Sequence, residues 1–315
     1  MAEYNKIPLL AVVGPTASGK TALGVSICKK IQGEVVSCDS MQIYKGMNIA
    51  TAKPTAEETE GIPHHLIDFV NPTETFSVAK YCELAKNAIQ DITARGKTPV
   101  LVGGTGLYYS SLVDNINFLE EETDFEYREF LKTRANNEGA DILLEELKKI
   151  DSETASRLHA NNVGRIIRAL EIYHTTGKTI TEQNELSRAN PSPYDVKAVC
   201  LDAKDRQFLY NRINLRVDLM LKAGLVDEAK TFFENNAGRT AVQAIGYKEL
   251  KPYFDGTATL DECVENLKMQ TRRYAKRQLT WFRRDERINF LHIDEYNSLQ
   301  ELTKAALNAM GKESD

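Results

Sequence analysis

The eight residues Gly14-Pro15-Thr16-Ala17-Ser18-Gly19-Lys20-Thr21 satisfy the pattern G-x-x-x-x-G-K-[ST] at every fixed position. No other stretch of the 315-residue chain restricts the fold as much. The pattern has physical content only between a strand and a helix, and both neighbours are present. Ile7 to Val13 is an apolar run of strand length, and Leu23, Ile27 and Ile31 recur every four residues as one helix face. A strand, a glycine-rich loop and a helix predict an α/β fold with a parallel sheet. In such a loop the backbone N–H groups and the positive end of the helix point at an anion, Lys20 adds a point charge, and the Thr21 hydroxyl can hold Mg²⁺. A polyphosphate is the expected ligand. The same cradle serves ATP, GTP or any other diphosphate-bearing molecule, so the chemistry has to be read elsewhere.

With 42% apolar and 27% charged residues the chain is globular and long enough for one large domain or two. The first apolar run ends after seven residues, too short for a signal peptide or a membrane span, which predicts a cytoplasmic protein without a membrane partner. Cys28, Cys38, Cys82, Cys200 and Cys263 are odd in number and scattered, without a C-x-x-C pair, and are expected to be reduced, buried and free of metal. The net charge of −5 argues against indiscriminate coating of nucleic acid, yet residues 268–287 hold eight Lys and Arg against two acids. A basic stripe on an acidic body suggests one polyanionic partner bound in one place, or simply a solvated helix face.

Further along, Glu34 to Cys38 reads as a second strand ending at Asp39-Ser40-Met41-Gln42. In an open α/β sheet the carboxyl ends of the strands line the ligand crevice, so Asp39 is expected beside the phosphate loop, where it can hold metal or take a proton. Residues 43–77 read as loops, with His64-His65 structural rather than ligating. A helix from about Ser77 to Ala94 leads to a strand, Thr98 to Val102, that ends in Gly103-Gly104-Thr105-Gly106. Those residues approach a ligand closely and donate a hydroxyl but supply no base, unlike the acid with which a phosphate-loop hydrolase orients water. Simple hydrolysis is disfavoured.

From about Leu119 to Asn190 the pattern is helical: Leu143, Leu144, Leu147 and Ile150 mark one face, Val163, Ile166, Ile167, Leu170 and Tyr173 another, Gly177 a stop, and Thr179 to Glu182 a capping box. Residues 119–194 are therefore expected as an all-helical insertion, splitting a core of residues 1–118 and 195–298, with 299–315 as a C-terminal helix or tail. Val196 to Leu201 reads as a strand. The helix from Arg206 to Ala223 carries Arg212 and Arg216 on one side, within reach of phosphates. A helix from about Leu260 runs into the basic stretch ending at Trp281, where Tyr274 and Trp281 either stack bases or pack in the core, and Ile288 to Ile293 is the last strand.

Taken in order, GPTASGKT, SCDSMQ, IYKGMNIATAKP, GIPHHLIDFVNPTETFSVAKY, LVGGTGLYY, RIIRALE, AIGYKEL and RRYAKRQLTWFRR resemble the signatures of the bacterial tRNA dimethylallyltransferases, from residue 9 to about residue 290. The resemblance implies a P-loop NTPase-like core with an inserted helical domain that contacts tRNA. It also implies transfer of a dimethylallyl group from its diphosphate to the exocyclic amine of the adenosine just 3′ of the anticodon. By position it assigns Asp39, Thr105 and Arg216 to catalysis, Gly14 to Thr21 to the diphosphate, and Thr21 to Mg²⁺. Its tRNA contacts are Asp39, Ser40, Met41, Gln42 and Thr105, then Tyr127 and Gly164, Arg165, Ile166, Ile167 and Arg168, then Gln243, Gly246, Tyr247 and Lys248. A monomer is implied. Asn48 and Ala50 stand where the family often has Asp and Gly, Asn162 and Gly164 stand where relatives commonly have an acid and a polar side chain, and the zinc finger of eukaryotic relatives is missing.

Other classes predict other features. A small-molecule kinase using ATP in the same cradle needs neither a helical insertion of this size nor a basic stripe, and the same holds for a prenyltransferase acting on free adenine nucleotide. A non-catalytic RNA-binding module with a nucleotide switch has no use for Asp39.

Overall fold

The computed structural model describes residues 6–118, 124–187, 190–234, 238 and 240–312. Expectations for 119–123 and for the end of the C-terminal tail, 313–315, lie outside the described residues. In chain order the elements are β1 (Ile7–Val13), α1 (Lys20–Ile31), β2 (Gly33–Cys38), α2 (Ala56–Thr59), β3 (His64–His65), α3 (Val78–Ala94), β4 (Thr98–Gly103) and α4 (Gly106–Val113). Five helices follow, α5 (Phe125–Glu138), α6 (Ala140–Ile150), α7 (Ser152–Ser156), α8 (Val163–Thr176) and α9 (Ile180–Ser187). The chain then gives β5 (Tyr194–Asp202), α10 (Arg206–Lys222), α11 (Leu225–Glu234), α12 (Lys251–Phe254), α13 (Leu260–Phe282), β6 (Ile288–His292) and α14 (Leu299–Ala309). Two compact units result, residues 114–192 forming one and the flanking segments the other.

In the larger unit six strands form one sheet in the order β3-β2-β4-β1-β5-β6, and every pairing is parallel. Strands covered on both faces read as continuous apolar runs, as Leu9 to Val13 does, with each of these side chains at most 1% exposed. Leu10 and Val12 meet Leu23 and Ile27 of α1 and Leu302, Ala306 and Leu307 of α14. The segment after residue 298 is thus part of the larger unit's core. Each fully buried Leu or Ile there contributes roughly 1.5–3 kcal/mol. On α3, Ser77 accepts from the Lys80 N–H and starts the helix where the sequence placed it, and Tyr81 donates its hydroxyl to the Ser37 carbonyl at 3.0 Å.

Two expectations need correction. Residues 43–77 are not loops throughout: Thr55 and Glu58 close a capping box at α2, and His64–His65 pairs with Val35 and Val36 as β3. Tyr194, expected at the end of the insertion, is the first residue of β5 and pairs with Ile7. The two histidines have structural partners: His65 Nε2 lies 2.7 Å from Glu34, which also takes Arg95 and Lys97, and His64 Nδ1 lies 2.8 Å from the Ile62 carbonyl. Those cations hold the buried Glu34 carboxyl well below its ordinary range. No cluster of three or more His, Cys, Asp or Glu suited to a metal exists among the described residues, and the five cysteines are buried free thiols.

The smaller unit is helical. Leu131, Leu143, Leu147, Ile166, Ile167 and Leu170 form its core, and Gly177 ends α8 in the left-handed conformation at φ 68°. Buried Glu171 binds this unit together, accepting from the Asp124 N–H, Arg128 and Arg168 at 2.7–3.0 Å.

Candidate active site

Sheet register assembles the site. Val13 is level with Gly103 and with Cys200, and Cys38 is level with Gly103. The residues that follow these strands, Gly14, Asp39, Gly104 and Thr105, therefore emerge together at the carboxyl edge, where open α/β sheets bind ligands. Gly14 has φ 142°, and a Cβ there would lie 2.6 Å from the Leu201 carbonyl oxygen, so only glycine admits the chain at this turn. Ala17 is held at φ 63°, an uncommon conformation for a side chain with Cβ, and its carbonyl accepts from Arg212 Nε at 2.8 Å. Lys20 donates to the Pro15 carbonyl at 2.6 Å, as does the Ser18 hydroxyl at 2.8 Å.

A cleft of about 760 Å³ opens over this edge, within the range that accommodates small organic ligands. Thr16, Ala17, Gly19, Lys20 and Thr21 line it together with Asp39, Ser40, Met41 and Gln42. Its walls are apolar where Val35, Val102, Ile67, Leu219 and Met220 face it. Arg216 of α10 joins the same wall, and its buried Nε has no hydrogen-bond partner among the described residues. Leaving a buried guanidinium donor unmet is costly, and at this position an anion can meet it. Burial lowers the pKa of Arg216, and burial together with the Arg216 charge brings Lys20 down to about 8, against the opposing pull of Asp39.

In the same cleft, Asp39 Oδ1 accepts from the Met41 and Gln42 N–H groups at 2.8 and 3.2 Å, which fixes the carboxylate at the strand end. Thr105 Oγ1 accepts from the Ser40 N–H at 3.0 Å, and its hydroxyl lies 3.3 Å from Ser40 Oγ. Asp39, Thr105 and the phosphate loop, 65 or more residues apart in parts, are thus brought to one edge of one sheet. The glycines flanking Thr105 are required by neighbouring protein groups. A Cβ on Gly103 would lie 2.1 Å from the Cys38 carbonyl oxygen, on Gly104 2.2 Å from Gln278 Nε2, and on Gly106 2.4 Å from the Trp281 ring. They admit neighbouring protein groups, and Gly103 also lines the cleft.

The loop from Met47 to Ala52 closes the cleft on another side and is held by a residue that sequence reasoning missed. Glu228 of α11 accepts from the Asn48, Ile49 and Ala50 N–H groups at 2.8–3.0 Å and from the Tyr247 hydroxyl at 2.8 Å. Asn48 and Ala50 take part through their backbone. Gln42 Nε2 donates to the Thr51 and Ala52 carbonyls of the same loop, both at 3.1 Å. Gln243, Gly246 and Lys248 line the cleft, whereas the Tyr247 side chain is 0% exposed and stacks on Phe232 at 4.3 Å. Tyr247 therefore presents no side chain to an RNA.

In the helical unit the same correction applies to Ile166 and Ile167, whose side chains are buried in that unit's core. Gly164 and Arg165 are exposed, and Arg168 is engaged with Glu171. Tyr127 stacks on His174 with ring centroids 3.9 Å apart. On α13, Tyr274 and Arg277 line the cleft, Trp281 packs against Gly106, and Arg273 and Lys276 are exposed.

Residues 42–285 match the family model described as IPP transferase, a span that begins after the phosphate loop. The tRNA dimethylallyltransferase of Thermoanaerobacter sp. (strain X514) is 47% identical over 302 residues, covering 95% of this chain and 96% of the relative. That of Bacillus cytotoxicus is 46% identical over 305 residues, with 96% of each covered. Among solved structures, the full-length tRNA isopentenylpyrophosphate transferase of Bacillus halodurans superposes with a TM-score of 0.71 at 43% identity, covering 97% of both chains. A eukaryotic dimethylallyltransferase acting on tRNA gives a TM-score of 0.78 at 29% identity, covering 97% of this chain and 80% of the other. With the P-loop NTPase-like sheet already in place, the extent of these matches is decisive: the chain belongs to the IPP transferase family.

Proposed function

We propose that this enzyme transfers the dimethylallyl group of dimethylallyl diphosphate to the N6 amine of the adenosine immediately 3′ of the anticodon in tRNA and releases pyrophosphate. The observation that carries the reading is the juxtaposition in one cleft of two cations, Lys20 and Arg216, the latter with an Nε that has no partner among the described residues, with a carboxylate, Asp39, and an apolar wall. A diphosphate, an amine to be deprotonated and a branched alkyl group call for those three features and need no water-activating acid.

The adenine amine is a poor nucleophile because its lone pair is delocalised into the ring. As its nitrogen bonds to the allylic C1, the C1–O bond breaks and its electron pair leaves with the diphosphate. The amine proton passes to the Asp39 carboxylate, whose Oδ1 is already fixed by two N–H groups. Growing charge on the leaving group is met by Lys20, Arg216 and N–H groups of the phosphate loop. The Thr21 hydroxyl, which lines the cleft, would hold Mg²⁺ together with substrate phosphate oxygens and water, a donor set that suits this ion without the carboxylate cluster that is lacking among the described residues. When bound, it neutralises charge on the departing pyrophosphate.

To reach the cleft the adenosine must leave the anticodon-loop stack, which is cheaper for loop bases than for paired ones. Asp39, Ser40, Met41, Gln42, Gln243, Gly246 and Lys248 surround the space it would enter. The exposed Arg273 and Lys276 of α13, with Arg165 of the helical unit, offer charge to the RNA backbone. The enzyme is taken to act as a monomer. Reduced cysteines and the absence of any helix long and apolar enough to cross a membrane, among the described residues, accord with the cytoplasm.

Nucleoside mass spectrometry on an unmodified tRNA incubated with enzyme and dimethylallyl diphosphate tests the assignment. One C₅H₈ unit is expected on the adenosine 3′ of the anticodon. Modification at another base, or none, would refute it.

A further inference from the structure

Gln278 lies on the inner face of α13, 5% exposed, and both ends of its carboxamide are engaged. Its Oε1 accepts the backbone N–H of Thr16 in the phosphate loop at 3.0 Å, and its Nε2 donates to the Gly104 carbonyl at 2.8 Å. One side chain thereby bridges the phosphate loop and the loop that carries Thr105. From Gly104 the connection runs to Thr105, whose Oγ1 accepts the Ser40 N–H, and Ser40 follows Asp39 directly. The fit is tight, since a Cβ on Gly104 would stand 2.2 Å from Gln278 Nε2 and 3.2 Å from the Gly14 carbonyl oxygen.

We infer that Gln278 is a positioning residue for the transfer reaction, setting the separation between the diphosphate cradle and the Asp39–Thr105 side against which the acceptor amine is held. The inference rests on the proposed function and adds a device to it. Reacting atoms must meet at about 3–3.5 Å, and a misplacement of about 1 Å can cost about a hundredfold in rate. Two loops whose spacing is held by a largely buried carboxamide at the wall of the cleft, with hydrogen bonds to both, satisfy that requirement. The same helix exposes Arg273 and Lys276 on its outer face.

Three variants test this in the full chain: Gln278→Ala, which removes both bonds; Gln278→Glu, which keeps an acceptor for Thr16 and sets a carboxylate against the Gly104 carbonyl; and Gly104→Ala, which displaces the carboxamide from the opposite side. Single-turnover transfer from dimethylallyl diphosphate to tRNA, both saturating, is measured beside the Kd for each substrate. All three variants are expected to lose roughly 10- to 100-fold in single-turnover rate while tRNA affinity stays within about threefold. In the Gln278→Ala background, Gly104→Ala is expected to add less than about twofold, because the bridge is already gone. A rate within twofold of the parent for Gln278→Ala, a loss of substrate affinity as large as the loss of rate, or fully multiplicative effects in the double variant would each overturn the inference. A parent enzyme that transfers nothing to tRNA would instead bring down the functional reading and the inference with it.

Discussion

The clearest quantitative consequence of the site is the pH dependence of diphosphate binding. Lys20 has its pKa brought to about 8, first by burial and then by the Arg216 charge, with Asp39 pulling the other way. A bound diphosphate stabilises the ammonium, so the pKa is higher in the complex than in the free enzyme. Linkage then fixes the sign: affinity is level below the free-enzyme pKa and falls as pH rises through it, approaching about tenfold per pH unit. With a free-state value of about 8, protonation drops from about nine-tenths near pH 7 to about one-tenth near pH 9, so Kd should rise about tenfold across that interval. Dimethylallyl diphosphate is the right probe because a terminal phosphate of this kind has its last pKa at about 6, so it is largely ionised across the window. Calorimetric titrations without tRNA, in buffers of different ionisation enthalpy, should show uptake of ~0.9 proton per ligand near pH 9 and almost none near pH 7. Two substitutions should move the onset in opposite directions. Asp39→Asn removes the charge that supports the ammonium and shifts it to lower pH, and Arg216→Met removes an opposing charge and shifts it to higher pH. A Kd that is flat from pH 7 to 9, or shifts of the opposite sense in these variants, would refute the electrostatic account of the cradle.

Three further outcomes are expected. Asp39→Asn keeps the Oδ1 acceptor for Met41 and Gln42 but lacks a carboxylate to take the proton, so single-turnover transfer should fall ~10²–10⁴-fold with tRNA affinity within a few-fold; an undiminished rate would remove Asp39 as the base. Glu228→Ala strips three backbone N–H groups and the Tyr247 hydroxyl of their acceptor and should cost about 2–4 kcal/mol in urea unfolding, a loss below about 1 kcal/mol meaning that water replaces the carboxylate freely. Exchanging the exposed Arg273 and Lys276 for Glu should weaken tRNA binding and flatten its dependence on log salt while dimethylallyl diphosphate affinity is unchanged; equal weakening of both ligands would mean that this helix face acts on the cleft itself.

Much of the architecture was legible because it is written in local pattern. A seven-residue apolar run, a loop of fixed glycines and a four-residue repeat placed β1, the cradle and α1, and strand-end logic placed Asp39 beside Lys20. Other features depend on groups far apart in sequence. Glu228 caps a loop 178–180 residues away, and Gln278 joins residues 174 and 262 away. Nothing in a polar residue on a helix announces which distant backbone it will meet. The Gly103-Gly104 pair was legible as a demand for space, but what fills that space, the Cys38 backbone and Gln278, is visible only in three dimensions. Tyr247, Ile166 and Ile167 show the weakness of carrying over whole stretches. In each segment some side chains face outward and their neighbours form the core. A strand of two residues such as His64–His65 is too short to leave any periodicity.

The central claim is that the cleft joins an alkyl diphosphate to the adenosine of a folded anticodon loop. Its most direct test is label transfer from radioactive dimethylallyl diphosphate, with Mg²⁺, to unmodified tRNA bearing adenosine 3′ of its anticodon, run beside AMP and an ATP-hydrolysis control. Label on tRNA alone, with release of one pyrophosphate per group transferred, is the predicted result. Label on AMP, or ATP turnover without transfer, would contradict it.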